Sequence, residues 1–182
     1  MRPPGDPMTT TEGTVTAIAA VVVFWIVGAY NRLVRLRSDL VARFGAVDER
    51  YRQRHALLEG QLELLSTALA SAAPRLDALR AACRQADTAR EHARARPGAA
   101  SAVTSLRVAE DILADARSRL PVQSVVGTDL PELNARLATS DTALSFARAE
   151  FNAAVAAYNE AVRQFPTLLV ARLFDFRTAA VF

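Results

Sequence analysis

The sequence predicts an all-α fold. An N-terminal transmembrane helix continues into an elongated antiparallel four-helix bundle, with long helices one and four and a short hairpin of helices two and three. Three observations predict it. The composition is 51% apolar and alanine-rich, with only 7 Gly and 8 Pro in 182 residues, which favours helix over sandwich or barrel. One stretch near the N-terminus is apolar and carries no charge. Beyond it, apolar residues recur every three or four positions along most of the chain. The length suits one domain plus an anchor or tail.

Residues 1–12, MRPPGDPMTTTE, read as a disordered tail. Residues 13–31, GTVTAIAAVVVFWIVGAYN, contain nineteen residues without a charge, or about 28 Å of helix, close to the hydrocarbon thickness of a bilayer. Trp25 and Tyr30 stand toward the end of the stretch, where amphipathic rings favour the interface. A secretory signal peptide is the competing reading, with Val27-Gly28-Ala29 as cleavage site, but Asp6 and Glu12 stand against Arg2 where a signal peptide needs a positive segment. A buried core helix is the other alternative. Arg32, Arg35 and Arg37 follow before the first acid, Asp39, so the positive-inside rule puts the C-terminal body in the cytoplasm of a single-pass plasma-membrane protein and the short N-terminus outside.

Residues 32–166 carry the bundle pattern. Leu33, Leu36, Leu40, Phe44, Val47, Tyr51, His55, Leu58, Leu62, Leu65 and Leu69 make ten steps over 36 residues, one continuous helical face. No proline interrupts it until Pro74, so the membrane helix and helix one form a single rod. Helix two follows Pro74 with Leu76, Leu79, Cys83, Ala86 and Ala93 on its stripe, and ends at Arg96-Pro97-Gly98. Helix three starts near Ser101, a candidate N-cap, and carries Ala102, Leu106, Ala109, Leu113, Ala116 and Leu120. PVQSVVGTDLP, residues 121–131, is the longest irregular stretch. Helix four begins near Pro131 behind Asp129 and places Leu133, Leu137, Leu144, Phe151, Val155, Tyr158, Val162 and Phe165 on one side, until Pro166 ends it. Residues 167–182 form an apolar tail with a short helix and a loose end. By length the hairpin covers only the membrane-distal half. Near the bilayer, helices one and four then run as a two-helix stalk, and the C-terminus returns to the membrane surface.

Chemistry is sparse. All 22 basic residues are arginine, interleaved with 19 acidic ones to a net charge of +3, and no basic face with interleaved aromatics suggests nucleic acid. The lone Cys83 excludes an internal disulfide and reads as a small buried hydrophobe. His55 on the core stripe and His92 beside Glu91 lack partners at metal-ligand spacing, and no glycine-rich phosphate loop or nucleophile elbow occurs. Adjacent acids such as Asp48-Glu49 and Glu110-Asp111 point about 100° apart on a helix and read as solvated faces. The sequence thus predicts no catalytic residue, no metal, no cofactor and no small-molecule substrate.

Two blocks resemble the LemA family, bacterial proteins with one N-terminal membrane anchor and a helical-bundle body. The first is Tyr30-Asn31-Arg32-Leu33-Val34-Arg35-Leu36-Arg37, followed by Val47-Asp48, Arg52 and Arg54. The second runs from Phe146-Ala147-Arg148 through Phe151-Asn152, Val155, Tyr158-Asn159 and Phe165-Pro166 to Ala171, Leu173-Phe174 and Phe176. The chain departs from the family at Leu57–Leu62, at Phe44-Gly45 and at Leu120–Val122. The resemblance implies the fold and the location, and no reaction.

Two expectations of function follow. The first is a non-catalytic interaction or scaffold module with a protein partner or self-association. The second is contact with lipid by Leu168, Leu169, Val170, Leu173, Phe174, Phe176 and Phe182, with Arg163, Arg172 and Arg177 meeting anionic headgroups. Asn152 and Asn159, each just behind an aromatic, are poor helix residues. Together with Tyr30-Asn31 they are expected to face helix one and fix its register against helix four, as a polar layer does in a coiled coil.

Overall fold

The computed structural model describes residues 7–68, 73–120 and 129–182. Five helices account for almost all of them: α1 Pro7–Ala68, α2 Ala73–Ala95, α3 Ala100–Ser118, α4 Asp129–Arg163 and α5 Thr167–Leu173. No strand occurs among the described residues. The fold is the expected all-α bundle on a long first helix. At 62 residues α1 runs about 93 Å without a break. It starts at Pro7, whose fixed φ suits a first turn, so residues 7–12 are helix and not tail. Its N-terminal part is long and apolar enough to cross a membrane, and none of that apolar stretch is buried.

The body is antiparallel. α1 packs along α4 and α2, α2 pairs with α3, and α5 rests on α1 and α4. The stripe foreseen on α1 is buried from Leu33 through Leu65, with Leu36 half-buried; Leu69 and most of the irregular stretch 121–131 lie outside the described residues. Three details differ from expectation. Helix α3 is entered through Ala99 in extended conformation, and Ser101 does not cap it. Phe165 is exposed, because α4 ends at Arg163 and the helical period ends with it. The hairpin also reaches further toward the apolar N-terminal part of α1 than its length suggested. The turn between α2 and α3 comes down to Leu40, whose Cδ2 lies 3.5 Å from a Cβ built on Gly98.

Two cores stack along the rod. The proximal one, nearer the apolar N-terminal part of α1, gathers Leu33, Phe44, Tyr51, Phe151, Val155 and Tyr158, with Ala102 and Leu106 from α3 and Val170 and Ala171 from α5. The distal one is leucine and alanine: Leu58 and Leu65 of α1, Leu76 and Leu79 of α2, Leu113 of α3, Leu137 of α4. Between them lies a layer of ion pairs. Arg90 donates to Asp48 at 2.7 Å with both side chains buried, and Arg54 pairs with Glu110 and, at 3.6 Å, with Asp141. His55 stands between Asp87 at 3.7 Å and Glu110 at 3.6 Å. Asp48 and Glu110 are therefore interior, contrary to their reading as solvated faces; only their neighbours Glu49 and Asp111 are exposed. Burial alone would raise the Glu110 carboxyl, but the adjacent His55 imidazole and the Arg54 guanidinium outweigh that and hold it below the ordinary carboxylate range.

Candidate functional site

The residues marked out in the second block converge on the segment that follows α5. Asn159 and Asn152 are half-buried on α4, one position round from the buried Tyr158 and Phe151. Their amides do not face α1. Asn159 accepts from the Ala179 N–H and donates to the Ala179 carbonyl, both at 2.8 Å. Asn152 accepts from the Phe182 N–H at 2.9 Å and donates to the Phe182 carbonyl at 3.4 Å. The register role expected against helix one is thus replaced by a clamp on residues 179–182.

Geometry explains the pairing. Seven residues of helix advance about 10.5 Å, and three residues of extended chain advance about 10 Å. The rise from Asn152 to Asn159 on α4 therefore matches in length the three-residue step from Ala179 to Phe182. Only an amide side chain offers a donor and an acceptor side by side, as an extended residue's own N–H and C=O require. The segment has no secondary structure of its own, so its buried backbone groups need partners from elsewhere. The residues between the two clamped positions find them too. The Ala180 N–H donates to the Gly98 carbonyl at 2.8 Å, and Arg107 donates to the Val181 carbonyl at 2.9 Å.

The close approach at the hairpin turn depends on Gly98. Its φ is +78°, which favours glycine, and an added Cβ would sit 2.8 Å from the Ala179 Cβ. One extended segment thereby joins α4, the α2–α3 turn and α3.

Side chains complete the clamp. The Phe182 ring lies 5.3 Å from Phe151, 6.3 Å from Phe44 in a stacked arrangement, and 6.4 Å from Tyr51. The Arg148 guanidinium lies over the Phe182 and Tyr51 rings at 5.3 and 5.1 Å, and it donates to the Tyr51 hydroxyl from both Nε and Nη2. Burial pushes the Tyr51 hydroxyl up to about 12 despite the Arg148 charge. The loose end of the expectation is therefore a strap, and Phe182, half-buried, packs against the protein core.

The other predicted residues fall in different places. The Tyr30 ring packs on Phe174 at 5.0 Å and Phe176 at 5.9 Å. Leu33 is fully buried in the proximal core, Asp48 belongs to the ionic layer, and Arg37 is exposed. Asn31 is exposed on α1. Pro166 and Leu168 are half-buried, as is Phe176, whereas Leu169, Leu173 and Phe174 are exposed.

The paired members of the ionic layer were missed in the sequence, although a signal existed. Arg90 falls between Ala86 and Ala93 on the buried side of α2, and Glu110 falls between Leu106 and Leu113 on α3. Among the described residues no group of three or more His, Cys, Asp or Glu is placed to hold a metal ion. Cys83 is half-buried, and its thiol is pushed up to about 11, chiefly by burial.

No curated protein and no solved structure matches the chain. A family model, the LemA family, matches residues 43–182. The match starts beyond the Tyr30–Arg37 block and takes in α5 and the strapped segment, so the clamp lies wholly inside the shared unit. The chain belongs to the LemA family.

Proposed function

We propose that this protein is a single-span, membrane-anchored, non-catalytic module that presents a rigid helical bundle at the inner face of the bacterial plasma membrane to a protein partner or to further copies of itself. One observation carries the reading. α1 passes from its exposed apolar part into the bundle core as one unbroken helix. A body so coupled cannot swivel freely on its anchor, which suits a scaffold better than a tethered enzyme. Orientation rests on Arg32, Arg35 and Arg37, all exposed directly after the charge-free stretch.

The test is in-cell crosslinking of the full-length protein, with a photoreactive residue in place of the exposed Phe146 on α4, followed by mass spectrometry. Repeated trapping of one protein, or of a second copy, is the expected result. A monomeric body that captures nothing above background would contradict the reading.

A further inference from the structure

We propose that α5 and Phe174 form a foot that lies on an anionic membrane surface beside the point where α1 leaves the bilayer. This rests on the reading of the N-terminal part of α1 as a membrane span. One side of α5 is buried: Thr167, Val170 and Ala171 pack into the bundle. The other side is apolar and uncovered. Leu169 is 53% exposed and Leu173 71%, four residues apart and so on one side of the helix, with Phe165 at 74% before them and Phe174 at 48% after. Contiguous exposed apolar side chains of this size mark a contact surface and not an ordinary solvated face.

Position identifies the contact. The Phe174 ring lies 5.0 Å from Tyr30, the penultimate residue of the charge-free stretch. Ile26 and Ala29, inside that stretch, pack on the same core cluster as Val170 and Ala171. α5 therefore stands at the level of the last turns of the span, where an amphipathic element meets headgroups and upper acyl chains. The surface is continuous with the apolar face of α1 itself.

Charge agrees. Arg163 and Arg172 flank the apolar face, and Arg32, Arg35 and Arg37 follow the span; none of the five has an ion pair among the described residues. Of the acids nearby, Asp175 is paired with Arg177, and Glu160 stands one turn back on α4. Free arginines around an apolar foot fit anionic headgroups. Residues 179–182 take no part, since the clamp holds them on the bundle.

The full-length protein with Cys83→Ser would carry one fluorophore on Leu173→Cys, on Val22→Cys in the span, or on Val108→Cys on α3, in vesicles containing phosphatidylglycerol. Quenchers would be placed in shallow lipid, in deep lipid and in water. The proposal expects the label at 173 to be quenched by shallow lipid several-fold more than the label at 108, and less so in pure phosphatidylcholine. Quenching at 173 by the aqueous quencher alone, while the label at 22 is quenched from deep lipid, would overturn the foot and leave the span intact. Protection at 173 from every quencher would overturn it in favour of a protein cover. A label at 22 reached only from water would remove the span and the foot together. Equal shallow quenching in both lipids would overturn the headgroup contact.

Discussion

The two halves of this rod bury similar helices by different means. Away from the apolar N-terminal part of α1, Leu58, Leu65, Leu79, Leu113 and Leu137 fill a core of aliphatic side chains on four helices. Toward that part, Phe44, Tyr51, Phe151 and Tyr158 border a segment that is not helical, and Phe182 packs against them. The difference lies in what each half must satisfy. Helices meet their own backbone hydrogen-bonding needs, so the distal half requires only apolar volume at the right period. An extended segment brings unpaired N–H and C=O groups, so the proximal half must supply polar partners at its rim. Asn152, Asn159, Arg107 and the Gly98 carbonyl are those partners. The ionic layer of Asp48, Arg90, Arg54 and Glu110 separates the two regimes.

Substitutions can break each half in its own way. Leu65→Asp should have the largest effect. Its side chain is fully buried among the leucines of the distal core, and the buried charge should abolish the cooperative thermal transition seen by circular dichroism. In the proximal half, Phe151→Ala leaves a cavity beneath Phe44 and Phe182, and should cost about 3–5 kcal/mol in urea unfolding. Wild-type-like melts for both would contradict the register of α1 and α4.

Gly98→Ala should act on the junction alone. A left-handed non-glycine residue costs about 1–2 kcal/mol, and the added methyl pushes on the Ala179 Cβ. Proteolysis should then release the residues after α5 while the distal core melts as before.

Tyr51 adds no pH dependence to stability near neutrality. Its folded pKa is raised above the ordinary value of 10.0 to about 12, so its contribution is complete below 10 and is lost as pH rises through 12. Alkaline titration of stability should fall in that window, after an earlier loss between 9 and about 11 from Cys83. Tyr51→Phe should flatten the upper part only. An unchanged upper part would show that the hydroxyl is not buried.

The same contrast explains what was legible in the sequence. The distal half was readable because a period of 3.6 fixes a leucine face without knowledge of any partner, and Leu58 through Leu65 lie where that period puts them. Phe165 broke the pattern only because the helix stops at Arg163. Asp48 and Glu110 looked like surface acids because their cations, Arg90 and Arg54, come from other helices. Asn152 and Asn159 were recognisable as out of place in a helix, but their partners are backbone groups 20 and 30 residues away. Backbone groups carry no sequence signature, and an extended segment of four residues shows no periodicity. The i, i+7 spacing was the only visible trace of the strap.

Amide hydrogen exchange at Ala179 and Phe182 tests the clamp most directly. In the full-length protein both amides should be protected, and Asn152→Leu with Asn159→Leu should abolish that protection while Val155 in the middle of α4 stays protected. Exchange at Ala179 and Phe182 as fast as in a free peptide, or protection that survives the double substitution, would contradict the account.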